Sequence, residues 1–117
     1  MHKAKILAIG CTDLRFQKIV DQDLQIRSHY GEFDRILWPG TSKDLRNVLS
    51  AALTSLKLHN PEEVLIYEHE DCGAYGDNNS EAAHKSNATK LKKALLKEKP
   101  QLQVETLIAT LQEIKDL

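Results

Sequence analysis

Ala4-Lys5-Ile6-Leu7-Ala8-Ile9-Gly10 runs without a break into Cys11-Thr12-Asp13-Leu14-Arg15. The first part is a short apolar run that stops at a glycine, and it reads as a buried strand. The second part is polar and carries a thiol, a carboxylate and a guanidinium within five positions. A buried strand that ends in reactive side chains sets the question for the rest of the chain. The surroundings must show what kind of sheet the strand joins and what else reaches its carboxyl end.

Downstream, Phe16, Ile19, Val20, Leu24 and Ile26 recur among polar residues and predict a helix over 16–29, closed by Tyr30-Gly31-Glu32. Phe33 to Trp38 predicts a second strand, stopped by Pro39-Gly40. Thr41 or Ser42 can cap the next helix, whose Leu45, Val48, Leu49, Ala52, Leu53 and Leu56 fall at helical spacing before His59-Asn60-Pro61 ends it. Val64-Leu65-Ile66-Tyr67 predicts a third strand, and a polar turn follows from Cys72 to Asn79. A third helix is expected over 80–98, ending at Pro100, then a fourth strand over Val104 to Ala109 and a short tail.

Alternating strands and helices predict a parallel sheet with helices on both faces. The expected architecture is α/β: a three-layer α/β/α domain over residues 1–117 with a mainly parallel four-stranded sheet in the order 2-1-3-4. Ligands of such sheets bind beyond the carboxyl ends of the strands, where the strand order reverses. Here the first and third strands flank that point. Cys11 to Arg15 follows one, and His69-Glu70-Asp71-Cys72 follows the other.

Composition narrows the function. The chain has 117 residues and a formal net charge of −1. It therefore lacks the basic excess that phosphate binding needs, and nucleic acid is not an expected partner. No apolar run approaches the roughly 20 residues of a membrane span, and Ile6-Leu7-Ala8-Ile9 is too short for the core of a signal peptide, so a cytoplasmic protein is expected. Two cysteines do not make a disulfide framework. In a reducing compartment they serve as metal ligands, as catalytic groups or simply as small buried residues.

Zinc takes thiolate and imidazole ligands in a tetrahedron. Adjacent strands lie about 4.8 Å apart, a gap that two ligands of one zinc can span. Cys11 and the His69-x-x-Cys72 pair can therefore converge on one ion, and three protein ligands leave a fourth position open, as in catalytic sites. Taken residue by residue, a buried cysteine at a strand end is equally a packing residue. Asp13 and Arg15 can pair, the guanidinium holding the carboxylate ionised. Asp13 can also be a helix cap and Arg15 a solvated side chain. His84 reads as a surface residue of the third helix, Asp71 as a turn residue and Tyr75 as a candidate pocket residue. His2, His29 and His59 show no partner.

The two motifs together, Cys11-Thr12-Asp13-Leu14-Arg15 after a first strand and His69-Glu70-Asp71-Cys72-Gly73-Ala74 after a third, resemble the β-class carbonic anhydrases. The resemblance extends over most of the chain, from Lys5 to about Ala109, and is greatest to a compact branch described as carbonic-anhydrase-like. It implies a Zn2+ cofactor held by Cys11, His69 and Cys72, with Asp13 and Arg15 as the catalytic dyad. It implies reversible hydration of carbon dioxide to bicarbonate by a zinc-bound hydroxide that Asp13 orients, or a closed state in which Asp13 takes the fourth position.

Departures from the family pattern fall elsewhere. The helical arm that usually precedes the first strand, and that wraps a second subunit, is not expected here. Leu14 stands where a serine is common, and Trp38-Pro39-Gly40-Thr41-Ser42 replaces the usual arginine-asparagine-alanine-glycine-asparagine stretch. A glutamine that many plant-type members place before the first strand has no counterpart in residues 1–10. The altered pocket leaves room for a zinc enzyme acting on carbonyl sulfide or carbon disulfide, or for a non-catalytic zinc-binding protein on the same scaffold. A cytidine deaminase is excluded, because position 71 is Asp71 rather than the required glutamate and one cysteine, not two, follows His69. Small size and few aromatics, together with the family's clefts between subunits, predict a homodimer or a higher homo-oligomer.

Overall fold

A computed structural model describes residues 2–117. Strand β1 spans Ile6–Gly10, helix α1 Gln17–Arg27, β2 Phe33–Leu37, α2 Leu45–His59, β3 Glu63–His69, α3 Glu81–Glu98, β4 Gln103–Ala109 and β5 Ile114–Asp116. The sheet order is β2-β1-β3-β4-β5, with every pair parallel except β4 and β5. The four expected strands thus lie in the expected order. The stretch read as a tail instead supplies a fifth, antiparallel strand, with Leu107 opposite Asp116 and Ala109 opposite Ile114. Thr110 makes that hairpin: its amide donates to the Glu113 carbonyl at 2.8 Å, and its hydroxyl oxygen accepts from the Gln112 and Glu113 amides at 3.2 and 3.0 Å.

Side chains alternate across the central strands, and both faces are covered. Leu7, Ile9, Val64 and Ile66 pack with Val48 and Ala52 of α2 and with Ala88, Leu91 and Leu95 of α3. Ile6, Ala8, Leu65 and Tyr67 pack on the opposite face with Phe16 and with Val20 and Leu24 of α1. Burial on both faces explains why β1 and β3 read as continuous apolar runs. At about 25 cal/mol per Å2 of apolar surface, each fully buried aliphatic side chain of these strands contributes about 1.5–3 kcal/mol before entropy is counted. Among the described residues no helix is long and apolar enough to cross a membrane.

The caps differ from expectation in an informative way. Asp44, not Thr41 or Ser42, caps α2, accepting from the Asn47 amide at 3.4 Å. Thr41 and Ser42 are both 1% exposed, and their side chains are already engaged. The Thr41 hydroxyl donates to the Tyr67 carbonyl at 2.8 Å and the Ser42 hydroxyl to Glu68 Oε2 at 2.6 Å. The loop before α2 is thereby pinned to the end of β3, beside the strand-order reversal. Ser80 caps α3 by accepting from the Ala83 amide at 3.1 Å.

Candidate metal centre

The β1 and β3 ends converge as the topology requires. Gly10 closes β1, and the chain turns through Cys11 and Thr12 into a short 3-10 helix at Leu14–Phe16. Gln17 shapes that turn, its side-chain amide donating to the carbonyls of Cys11 and Asp13 at 2.9 and 2.8 Å. Nothing in the sequence marked Gln17 for this work. On the other side β3 delivers His69. Asp71 then takes a left-handed backbone conformation, φ 53°, which turns Cys72 back toward the site. The ligand atoms of Cys11, His69 and Cys72 all lie within 4.8 Å of one another. Ligands of one tetrahedral zinc sit about 3.3–3.8 Å apart, so closure asks for only about 1 Å of inward movement.

His69 is prepared for such a role. Its ring is 2% exposed and stacks on Phe16 with centroids 4.2 Å apart. Nδ1 lies 2.7 Å from the Glu70 carbonyl oxygen, an acceptor, so the ring hydrogen sits on Nδ1 and the lone pair on Nε2. Nε2 is buried and finds no hydrogen-bond partner among the described residues. A buried nitrogen left unsatisfied costs about 1–3 kcal/mol, and a metal ion would remove that cost. A backbone carbonyl on the far nitrogen is also the usual way to fix the tautomer of a ligating histidine.

The thiols differ in character. Burial acts to raise Cys11, but the His69 ring beside it and the amides of Gly40 and Asp13 together bring it down to about 7. The Gly40 amide lies 3.4 Å from the Cys11 sulfur. Gly40 sits at φ 79°, and a Cβ there would meet Lys43 Cβ at 3.1 Å and Ala74 Cβ at 3.2 Å, so only glycine lets this amide approach. Burial pushes the Cys72 thiol up to about 11, and the nearby Cys11 adds to the rise against the Ala74 amide. Burial tends to lower the His69 imidazole, yet Cys11, the Glu70 carbonyl and Asp13 leave it raised.

Asp13 fills both roles that the sequence left open. Its Oδ1 accepts from the Arg15 amide at 2.9 Å, capping the 3-10 helix, and from Arg15 Nε at 3.1 Å. Its Oδ2 accepts from Arg15 Nη2 at 2.8 Å and lies 3.9 Å from His69 Nε2. The Arg15 hydrogen bonds hold the Asp13 carboxyl down at about 2, and Asp13 and Asp71 hold Arg15 above its ordinary value. Asp71 is more than a turn residue: its carboxylate and carbonyl accept from Arg15 at 3.0 and 2.8 Å, so one guanidinium spans both strand ends. A cleft of about 10 Å3, lined by Phe16, Val20, Leu37 and Tyr67 among others, opens beside Cys11 and His69.

The structure also departs from expectation at His84, which is 1% exposed rather than on the surface. It belongs to a buried polar group built on Glu68, itself 1% exposed. Glu68 Oε2 accepts from the Ser42 amide and hydroxyl at 3.1 and 2.6 Å, and Oε1 accepts from Tyr75 Oη and His84 Nδ1, each at 2.7 Å. Tyr75 is therefore a packed strut, not a pocket wall. His59 has a partner too, with Nδ1 2.8 Å from Asp34 Oδ2.

Comparison with known proteins bears on this site. The sequence model of a family described as "Putative carbonic anhydrase" matches residues 1–113. A protein of Rickettsia conorii is 30% identical, with 92% of this chain and 68% of that protein covered. One of Rickettsia bellii is 26% identical, covering 92% of this chain and 77% of that protein. Among solved structures, β-carbonic anhydrase isoform I of Trichomonas vaginalis superposes with a TM-score of 0.70 at 13% identity, covering 98% of this chain and 82% of the other. A structure from a study of two tetrameric β-carbonic anhydrases of Sordaria macrospora gives 0.68 at 13% identity, covering 100% and 82%. The apo form of a carbon disulfide hydrolase gives 0.63 at 10% identity, covering 98% and 79%. At such identities the structural likeness is one of fold.

Proposed function

From the premise that this chain belongs to the family described as "Putative carbonic anhydrase", we propose that it is a zinc enzyme hydrating carbon dioxide reversibly to bicarbonate. Cys11, His69 and Cys72 hold the ion, and Asp13 and Arg15 form the catalytic dyad. The observation that carries the reading is His69 Nε2, buried and without a partner among the described residues, within 4.8 Å of two sulfurs and 3.9 Å from a carboxylate. When bound, zinc supplies Lewis acidity, which brings the pKa of a water from about 15.7 toward 7.

The chain's own residues do the rest. Cys11 and Cys72 ligate as thiolates, and Cys11 is already near that state at neutral pH. His69 ligates as a neutral ring because its other nitrogen is committed to the Glu70 carbonyl. Arg15 keeps Asp13 ionised and rigid through two side-chain hydrogen bonds from Nε and Nη2. Asp13 Oδ2 then accepts the hydrogen of the attacking oxygen, turning a lone pair toward the substrate carbon. The new carbon–oxygen bond forms there as one C=O π pair of carbon dioxide moves onto its own oxygen, giving bicarbonate; water replaces it, and the proton that water loses in regenerating the nucleophile passes to solvent.

The carbon disulfide hydrolase among the structural neighbours favours one second reading, hydrolysis of carbon disulfide or carbonyl sulfide at the same centre. The replaced stretch Trp38 to Ser42, whose Gly40 amide lies 3.4 Å from the Cys11 sulfur, is where such a change of substrate would be written. We also place the protein in the cytoplasm as a homodimer or higher homo-oligomer. Leu14 is 86% exposed next to Asp13, and Leu37 and Trp38 are exposed at the end of edge strand β2. Sedimentation at micromolar protein checks this, and a monomer that holds zinc and turns over would show the site complete in one chain.

Elemental analysis followed by stopped-flow hydration of carbon dioxide tests the main reading. One zinc per chain is expected from a three-ligand site. Its loss is expected in each of Cys11→Ser, His69→Ala and Cys72→Ser. Full retention in any two of these variants would remove the site, and a zinc-loaded chain that turns over carbon disulfide but not carbon dioxide would select the second reading.

A further inference from the structure

Glu68 is the only carboxylate of the β3 run Val64 to His69. It points to the α2 and α3 side, in line with Val64 and Ile66, where an unpaired charge would be expensive. Each of its oxygens accepts two hydrogen bonds from within the protein. The donors come from three separate places: the loop before α2, the 3-10 turn at Gly73–Tyr75, and α3. His84 is held from its far side as well, Nε2 lying 2.8 Å from Asn79 Oδ1.

Two of those places border the candidate ligands. The loop before α2 presents Gly40, whose amide reaches the Cys11 sulfur, and Ser42 follows two residues later. The turn after β3 presents Cys72, whose carbonyl accepts the Tyr75 amide at 3.0 Å. Tyr75 and Ala74 also pack against Gly40, so the two segments touch above the carboxylate. His69 is the next residue along the strand. One buried group therefore fixes the carriers of the Cys11 contact, of Cys72 and of His69 relative to one another.

We propose that Glu68 is a positioning residue for the Cys11–His69–Cys72 centre, tying the loop before α2 and the turn after β3 to the strand that bears His69. The proposal rests on the reading of those three residues as metal ligands. Glu68→Gln keeps the shape but sets an amide N–H against either the Ser42 donors or the Tyr75 and His84 donors, so one of the two segments is released. Positions that orient ligands without binding metal commonly alter affinity by about 10–100-fold.

The test measures zinc affinity by competition with a chromophoric chelator. It also records the thiolate-to-metal charge-transfer band of the cobalt(II)-loaded protein and the melting temperature of the metal-free protein. Glu68→Gln is expected to weaken zinc by about 10–100-fold and to change the cobalt band. Leu95→Ala, buried in the core well along α3, should lower the melting temperature yet leave both metal readouts at wild-type values. Tyr75→Phe removes one donor and keeps the ring; it should give a smaller loss of the same kind and stands in if Glu68→Gln does not fold. Unchanged affinity and an unchanged band in the Glu68 or Tyr75 variant overturn the positioning role, as does an equal loss of affinity in Leu95→Ala. A wild-type chain that binds no zinc overturns the metal reading beneath it, a failure visible before any variant is made.

Discussion

Replacing Asp13 by asparagine changes the dyad by very few atoms, and the consequence can be worked from the geometry. The asparagine carbonyl can stay where Oδ1 is and keep the bonds from the Arg15 amide and Nε, at 2.9 and 3.1 Å. The new amide nitrogen then replaces Oδ2, which now accepts from Arg15 Nη2 at 2.8 Å and lies 3.9 Å from His69 Nε2. Two donors face each other there, and no acceptor remains for the hydrogen of the attacking oxygen. A hydrogen bond to a charged group is worth about 1.5–3 kcal/mol. If it is made only in the transition state, its loss slows turnover by about 10- to 160-fold at 1.36 kcal/mol per decade. Zinc content should not change, because Asp13 is not one of the three clustered ligands and both of its oxygens accept hydrogen bonds from Arg15. The assay is stopped-flow hydration of carbon dioxide on wild-type and Asp13→Asn protein of equal zinc content, read as kcat. Asp13 is held near 2, so the drop should be uniform from about pH 6 to 9, well above any titration of this carboxyl. An unchanged rate would make the dyad structural, and loss of zinc would make Asp13 a ligand.

Two further outcomes follow from the same geometry. In metal-free protein Cys11, with its pKa of about 7, should be alkylated by iodoacetamide with a rate that rises through neutral pH, while Cys72, buried and near 11, stays unmodified; peptide mass mapping checks this, and zinc should protect both. Gly40→Ala forces a side chain into a left-handed position and against Ala74, so it should cost about 1–3 kcal/mol in a thermal or denaturant melt and weaken zinc retention through the lost Cys11 contact.

The central strands were legible because burial on both faces leaves no ambiguity of period. Ile6 to Ile9 and Val64 to Tyr67 could be little else, and the motifs at their ends named the three side chains that the fold brings together. β5 was not legible, because Ile114–Asp116 is too short to show a pattern and depends on Thr110 closing the hairpin. Thr41 and Ser42 misled because a hydroxyl before a helix looks like a cap until a tertiary partner claims it. His84 was misplaced although a signal existed: it stands in helical register with Ala88, Leu91 and Leu95, all buried. The same signal marks Glu68, whose parity with Val64 and Ile66 commits it to the core. A polar residue on an apolar stripe says that partners exist but not which, since Ser42, Tyr75 and His84 are 26, 7 and 16 positions away.

Arg15 is shared by Asp13 and Asp71, so two carboxylates stand against one guanidinium at the mouth of the site. A divalent ion held by two thiolates would carry no formal charge, so Asp13, Asp71 and Arg15 together would contribute one surplus negative charge. A neutral gas enters such a field without hindrance, whereas an anionic product is pushed outward. Under the proposed chemistry the entrance thus favours departure over return. Inorganic anions such as halides should compete feebly at low salt and gain ground as ionic strength rises and the field is screened over about 8–10 Å.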